Sequence, residues 1–245
     1  MQREVRPVET ADRASHAPVV VAIDGPSGSG KSTVSRAVAA RLGLSFLDTG
    51  AMYRAMTWWM LANDVDVDDA DAVAIACTKP VIVSGTDADG PTITVDGQDV
   101  SGPIRGPEVT AKVSAVAAVP AVRSRLVELQ RGCAEVAERG IVAEGRDMGS
   151  VVFPTATVKV FLTASEAART ERRAAELRAK GLDEATITAM AADLARRDAA
   201  DSSRETAPLT QAPDAVLVDT STLTLEQVID RITGLVEERA RLFTV

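Results

Sequence analysis

The chain has 245 residues, enough for one α/β domain with small insertions, and its hydrophobic fraction of 46% is usual for a globular protein. Its net charge of −8 argues against a general nucleic-acid or membrane-surface binder, because such proteins are usually basic. The two cysteines, Cys77 and Cys133, are far apart, which disfavours a zinc site or a disulfide framework.

No apolar run approaches the roughly 20 residues that span a bilayer, and the polar segment 1–17 lacks the apolar region of a signal peptide. We expect this segment to be a mobile tail before the first strand. The composition predicts a cytoplasmic protein with no membrane or nucleic-acid partner, and we expect a monomer.

A β-branched run at 19–23 predicts a buried parallel strand, and apolar residues four apart predict a helix over 33–42 that ends at Gly43. Between them the sequence fits the phosphate-binding P-loop pattern G-x-x-x-x-G-K-[ST] at every fixed position. Glycines let backbone N–H groups approach an anion, and the helix N-terminus favours negative charge. The predicted ATP-binding residues are Gly25, Pro26, Ser27, Gly28, Ser29, Gly30, Lys31, Ser32 and Thr33.

Two of these side chains carry specific chemistry. Lys31 can reach the β- and γ-phosphates, and the Ser32 hydroxyl can ligate Mg²⁺. The alternative is a glycine-rich turn without a ligand, and the agreement of the motif with both flanking elements disfavours it.

A second strand at 45–47 leads through Asp48 into a helix over 51–62, which Asp48 or Thr49 can cap. Arg54 lies one turn into that helix. It is either a solvated helix charge or a phosphate clamp, because ligands of open parallel sheets gather at the carboxyl ends of strands. Its position alone leaves both interpretations open.

Strand-like runs at 81–83, 92–95 and 98–100 follow, and Asp96-Gly97 between the last two is a strong hairpin signal. They predict a small antiparallel insert over about 80–105, separate from the parallel sheet.

Two helices come next, one over 108–118 and one that opens at Pro120, a suitable first-turn residue. Ser114 and Arg123 lie near their junction and can be read as surface polar residues. In the second helix, apolar residues recur every three or four positions and predict one face packed on the sheet: Val122, Leu126, Leu129, Cys133 and Val136.

The next buried strand, 141–143, ends in a run of charges and glycines at 144–149. Glu144 there can hold Mg²⁺ or its waters, as a Walker B carboxylate does. Arg146 and Asp147 are either functional or a structural ion pair, and their location after a buried strand favours function.

A fourth strand at 157–162 precedes a helix for which Thr163 and Glu166 form the expected capping box. That helix carries four arginines, a pattern usually typical of a solvated face: Arg169, Arg172, Arg173 and Arg178. A second helix then leads into an arginine-rich segment at 196–204, so that the pair predicts a lid able to close over phosphates. A fifth strand at 215–219 and a closing helix, with Thr224 and Gln227 as a capping box, complete the chain.

The P-loop, the segments 47–54 and 145–154, and the arginine-rich segment together resemble the bacterial cytidylate kinase family, over about 18–240. The resemblance implies an α/β P-loop nucleoside monophosphate kinase fold with a five-stranded parallel core, an inserted antiparallel nucleotide-binding subdomain and a helical lid. The implied kinase domain covers 18–245, divided into a core (18–60, 107–175 and 207–245), an insert (about 61–106) and a lid (about 176–206).

The resemblance also implies roles for individual residues. Thr49 and Arg54 match positions that line the acceptor-phosphate side, and Ser114 and Arg123 match those that recognise cytosine. Members of the family vary at three places here: some have Ser in place of Thr49, some have Asp in place of Glu144, and some have Gly-Thr after the P-loop lysine, where this chain has Ser32-Thr33. None of these differences puts the function in doubt.

Further matches lie in the 144–149 segment and the lid. Arg146 and Arg204 match arginines near the acceptor phosphate, Asp147 and Asp201 match positions that bind the sugar hydroxyls, and Arg197 matches a lid arginine that reaches the transferring phosphoryl group. The catalytic residues implied are Lys31, Arg146 and Arg197, with Ser32 and Glu144 at the metal, the latter directly or through water.

The activity implied is phosphorylation of CMP and dCMP by ATP, with Mg²⁺ as cofactor. A phosphate-oxygen nucleophile needs no catalytic base, so a single histidine, His16, is no obstacle. The rival functions are another small-molecule P-loop kinase and a nucleotide switch such as a GTPase. The absence of an Asn-Lys-x-Asp guanine motif counts against the switch.

Overall fold

The computed structural model describes residues 18–179, 181, 183, 184, 187 and 209–242. The expected tail with His16, and three expected lid residues, Arg197, Asp201 and Arg204, lie outside the described residues. The elements in chain order are β1 (Val19–Asp24), α1 (Lys31–Leu42), β2 (Ser45–Asp48), α2 (Thr49–Ala62), α3 (Ala70–Ala76), β3 (Ile82–Ser84), β4 (Ile93–Val95), β5 (Gln98–Asp99), α4 (Pro107–Ala118), α5 (Pro120–Glu135), β6 (Gly140–Gly145), β7 (Val158–Thr163), α6 (Glu166–Ala179), β8 (Val216–Asp219) and α7 (Leu225–Leu242), with a 3₁₀ turn at Pro103–Arg105 and a π turn at Met148–Val152.

The large sheet has five parallel strands in the order β2-β6-β1-β7-β8, as the sequence predicted. The central strand β1 pairs with β6 from Val19↔Gly140 to Asp24↔Gly145. Because all the strands run in one direction, their carboxyl ends meet at one edge of the sheet, where ligands of such folds bind.

Helices cover both faces of this sheet, and alternate residues of β1 serve the two faces. Ala22 belongs to an apolar cluster with α2, α4 and α5, whereas Val21 and Ile23 belong to a cluster with α1 and α7. All three side chains are fully buried, which explains why the strand reads as a continuous apolar run.

The predicted antiparallel insert is confirmed as a three-stranded sheet in the order β3-β4-β5. Its tight turn places Asp96 at φ 51° and Gly97 at φ 82°, the left-handed conformation that hairpin turns of this length require. The loop before β4 also contacts the large sheet, since Phe46 of β2 donates its backbone N–H to the carbonyl of Thr86 at 2.8 Å.

Two helix predictions need correction. Thr163 does not cap α6, because it is the last residue of β7; Ser165 takes that place, and its Oγ accepts from the N–H of Ala168 at 3.2 Å. The apolar stripe predicted for α5 stops short of Val136, which is 79% exposed and lies just past the last helical residue, whereas Val122 and Leu126 are buried in the cluster that contains Ile141 and Ala143 of the sheet.

Other helix predictions hold. Asp48 caps α2 by accepting from the N–H of Ala51 at 2.9 Å, and Gly43 ends α1 in the left-handed conformation. Thr224 and Gln227 form the expected reciprocal capping box of α7, at 2.9 and 3.2 Å. Within the described ranges, every helix is too short or too polar to cross a membrane.

Candidate active site

A cleft of about 800 Å³ opens at the carboxyl edge of the large sheet. This volume lies in the range of small-molecule sites. Its floor is the P-loop and the end of β6, and its walls come from α2, the α4–α5 junction, α6 and the start of α7. The predicted site residues that line it are Ser27, Gly28, Ser29, Gly30, Lys31, Ser32, Thr33, Thr49, Arg54, Ser114, Arg123, Glu144, Arg146 and Asp147.

The P-loop is held close to the sheet. A Cβ atom on Gly25 would lie 2.0 Å from the carbonyl oxygen of Leu162 in β7, and φ there is 151°, so only glycine fits. Gly30, at φ 90°, is the N-cap residue of α1. Because it has no side chain, no capping hydrogen bond occupies the first N–H groups of the helix. The first turn of α1 therefore presents backbone N–H groups to the cleft, the arrangement that binds phosphate.

Lys31 is buried beneath the loop, and its Nζ donates to the carbonyl of Pro26 at 2.7 Å. Ser29 donates its hydroxyl to the same carbonyl at 3.0 Å. Gly25 and Pro26 thus lie behind the lining and shape the loop, while Ser32 is exposed to the cleft.

A wall of the cleft, formed where α4 meets α5 and by the segment after β6, contains a buried ion pair. Arg123, from α5, donates to the carboxylate of Asp147, and the two side chains are 5% and 3% exposed. The guanidinium carbon lies 5.6 Å from the centre of the Tyr53 ring, and Nη1 donates to the carbonyl of Ala117 at 3.3 Å. Arg123 is therefore buried, which corrects the interpretation of it as a surface polar residue. Ser114 is half-buried in the same wall.

Arg54 and Thr49 position the start of α2. Arg54 donates to the carbonyl of Ile104 at 3.2 Å and to Oγ1 of Thr110 at 2.9 Å, so it is not a solvated helix charge. The Thr49 hydroxyl donates to the carbonyl of Glu144 at 2.6 Å and joins α2 to the end of β6.

Arg146 and Asp147 are adjacent in sequence but reach different parts of the site. Arg146 donates to Oγ of Ser27 in the P-loop at 2.6 Å, whereas Asp147 is bound by Arg123. The segment after β6 thus connects the phosphate-binding loop with the wall that contains the ion pair.

Glu144 is a buried carboxylate of the cleft with a raised pKa. Burial, assisted by the charge of Asp48, raises the pKa of Glu144 to about 7, against the opposing effects of Lys31 and of a hydrogen bond from Ser32. Its Oε1 is buried with no hydrogen-bond partner among the described residues.

This unpartnered oxygen beside a serine hydroxyl fits a hard cation such as Mg²⁺. No group of three acidic, histidine or cysteine side chains able to hold a metal occurs in the described part of the chain. The remaining ligands of such an ion would be phosphate oxygens and water, which is the usual way that Mg²⁺ is bound with nucleotides.

Sequence reasoning missed Asp24, which ends β1 immediately before the P-loop. Its carboxylate accepts from the N–H groups of Met148 and Gly149, at 2.7 and 2.8 Å. Burial raises its pKa to about 6, although these two hydrogen bonds lower it. The available signal was a single carboxylate at the end of an otherwise apolar strand.

The arginines of α6 were also underestimated. Arg169 donates to the carbonyl of Ser27 at 3.0 Å, and Arg172 donates to Oγ1 of Thr220 at 2.9 Å. Arg172 and Arg173 line the cleft, so this face is not simply solvated. Arg178 does fit the solvated interpretation, because it is exposed and paired with Glu171 and Glu184.

One end of the cleft is apolar. Beside the first turn of α1 it is lined by Val34, Leu223, Leu225 and Val228. Such a surface suits the flat face of a nucleotide base next to the phosphate-binding loop.

Comparisons with known proteins agree with this arrangement. A family model described as cytidylate kinase matches residues 21–238. A protein of Streptomyces coelicolor named cytidylate kinase is 62% identical over 221 residues, which cover 90% of this chain and 94% of that protein. Proteins of the same name from Streptomyces avermitilis and Nocardia farcinica are 61% and 50% identical, over 90% and 91% of this chain and 94% and 95% of theirs.

Proposed function

Because the chain belongs to the cytidylate kinase family, whose members phosphorylate a nucleoside monophosphate with ATP, we propose that it transfers the γ-phosphoryl group of ATP to the 5′-phosphate of CMP and dCMP. The observation that supports this most directly is the cleft itself. The P-loop and the buried Arg123–Asp147 pair line one and the same cavity.

The pair suits the edge of a cytosine base. Cytosine presents an amino donor beside acceptor atoms, whereas uracil presents an acceptor in place of that donor. Asp147 supplies an acceptor, and Arg123 and Ser114 supply donors. We therefore assign Asp147 to the base edge together with Arg123, in preference to the sugar hydroxyls that the resemblance implied.

The phosphate groups meet in the middle of the cleft. The P-loop N–H groups and Lys31 bind the phosphates of ATP, and Arg146 and Arg54, with Thr49, lie on the side where the acceptor phosphate enters. The acceptor is already an anionic oxygen, so the residues need only align it in line with the γ-phosphorus and neutralise charge. Mg²⁺, held by Ser32 and Glu144, supplies further neutralisation of the phosphates when bound.

Two cations must change partners as the phosphates arrive. Lys31 leaves the carbonyl of Pro26, and Arg146 leaves the hydroxyl of Ser27. In both cases a neutral protein oxygen is replaced by a charged phosphate oxygen, and hydrogen bonds to a charged acceptor are stronger. The lid residues Arg197, Asp201 and Arg204 complete the proposed site, with Arg197 on the transferring group.

An acceptor panel tests the proposal. ATP and Mg²⁺ are combined with CMP, dCMP, UMP, AMP or shikimate, and ADP release is followed. CMP and dCMP should give the highest kcat/KM. Preference for another acceptor would refute the assigned substrate, and ATP binding without turnover on any of them would favour a nucleotide switch.

We further propose a cytoplasmic monomer built from the core, insert and lid described above. Sedimentation at working concentration tests the monomer.

A further inference from the structure

The backbone of Asp24 is held on both sides by the sheet, immediately before the P-loop. Asp24 ends the central strand β1, where Gly145 of β6 and Phe161 of β7 are its partners on the two sides. The following residue, Gly25, is pressed against the Leu162 carbonyl of β7. Asp24 is buried, and unlike Asp147 and Lys31 it does not line the cleft, so its role there is indirect.

Its two carboxylate oxygens hold the segment on which Arg146 and Asp147 lie. Oδ1 accepts from the N–H of Met148 and Oδ2 from that of Gly149, the first residues of the π turn. With one oxygen on each of two successive amides, the turn is fixed in both distance and orientation. Asparagine in this place would direct an NH₂ group at one of the two N–H donors.

We propose that Asp24 is a positioning residue, which sets the distance between the P-loop and the acceptor-binding side chains Arg146 and Asp147. This inference rests on the proposed function, because that function places these two residues at the acceptor. Phosphoryl transfer requires alignment of donor and acceptor, and a misplacement of about 1 Å can cost on the order of 100-fold in rate. Asp24 acts through the geometry of its neighbours.

The test is D24N, with D69N as a matched control. Asp69 also accepts from two backbone N–H groups at a helix start, at 2.9 and 3.2 Å, but far from the cleft in α3. With CMP as acceptor, D24N should lower kcat about tenfold or more and raise the KM of CMP, while its Kd for ATP alone changes less than about twofold. D69N should leave all three values near those of the wild type.

A double variant separates positioning from a general loss of structure. Because Asp24 acts partly through Arg146, D24N should lower kcat clearly less in the R146A background than in the wild type, and the remaining loss reports on Asp147. Losses that multiply, an unchanged kcat in D24N, or an equal loss of ATP affinity would each overturn the proposal. Wild-type protein in the same assay tests the proposed function separately, since it must phosphorylate CMP whatever D24N does.

Hydrogen exchange of the wild-type protein gives a test that does not depend on the folding of a variant. The amides of Met148 and Gly149 should exchange slowly in the free protein and about equally slowly with CMP bound, because Asp24 already holds them. Rapid exchange in the free protein, slowed only by CMP, would show that the substrate orders this segment, and the proposal would be wrong.

Discussion

The proposed donor and acceptor sides of the cleft differ in the kind of group that each would use to bind its nucleotide. The P-loop offers backbone N–H groups of residues that are consecutive in sequence, and Gly25 is required there because a Cβ atom would clash with the carbonyl of Leu162. The acceptor wall consists of side chains from three separate elements, Tyr53, Arg123 and Asp147. Backbone sites tolerate variation in side chains, whereas the acceptor wall depends on the identity of each residue.

The largest effect is expected where the donor side does rely on a side chain. Lys31→Ala removes the cation that we propose neutralises the transferring group, and kcat should fall at least about 100-fold, as for other electrostatic contacts of this kind. The thermal midpoint should change little. The measurement is steady-state turnover with CMP beside calorimetric binding of CMP alone. Near-normal turnover would show that the backbone of the P-loop is sufficient.

Glu144 lies between the two sides, and its strain should be visible in stability. Its pKa is raised from 4.5 to about 7 in the folded state, so folding is penalised for this group above pH 7, progressively less between pH 7 and 4.5, and not at all below. Glu144→Gln should therefore increase the free energy of unfolding by about 1–3 kcal/mol at pH 8, and by little at pH 5.

Urea unfolding at the two pH values, without Mg²⁺ or nucleotide, measures this difference. Asp24, whose pKa is about 6, contributes equally to both proteins and cancels in the comparison. A gain in stability that is the same at pH 8 and pH 5 would contradict the raised pKa of Glu144.

Base recognition tests whether the acceptor wall is specific. Asp147→Asn replaces an acceptor by an amide that can also donate, so the kcat/KM ratio of CMP to UMP should fall about tenfold. Because the substitution leaves the buried Arg123 without its carboxylate partner, the thermal midpoint of the variant is measured as well. The same loss for both acceptors would point to a structural role for the ion pair.

The smallest effect is expected at Ser114, which is half-buried at the wall. Ser114→Ala removes one neutral hydrogen bond, worth about 1 kcal/mol, so the KM of CMP should rise about fivefold while the KM of ATP is unchanged. A parallel rise in the KM of ATP would show that the P-loop side and the acceptor wall do not bind their nucleotides independently.

The parallel core could be predicted because its strands are buried on both faces and therefore appear in the sequence as continuous apolar runs. The P-loop could be predicted because its residues are consecutive in the sequence. The environment of Arg169 and Arg172 could not be predicted. Their partners, Ser27 and Thr220, are 142 and 48 residues away, and only the packing of α6 brings them together. The same limit applies to Asp24, whose partners follow β6.

Errors of one or two residues had local causes. Thr163 looked like a helix cap, but its carbonyl accepts from the N–H of Thr220 at 2.8 Å, so the strand extends through it. The periodicity of α5 continued to Val136, one residue past the end of the helix. Both cases concern an element boundary, where local patterns carry the least information.

The contact between Phe46 and Thr86 bears on how the protein avoids aggregation. Strand β2 is an outer strand of the large sheet, and an uncovered outer strand offers a row of backbone groups to which a strand of another molecule can add. The Phe46 N–H already donates to the carbonyl of Thr86. Arg36 holds the residues that follow Thr86 by donating to the carbonyls of Ala88 and Asp89, at 3.0 and 3.1 Å. The insert therefore also shields this side of the sheet from strand addition between molecules.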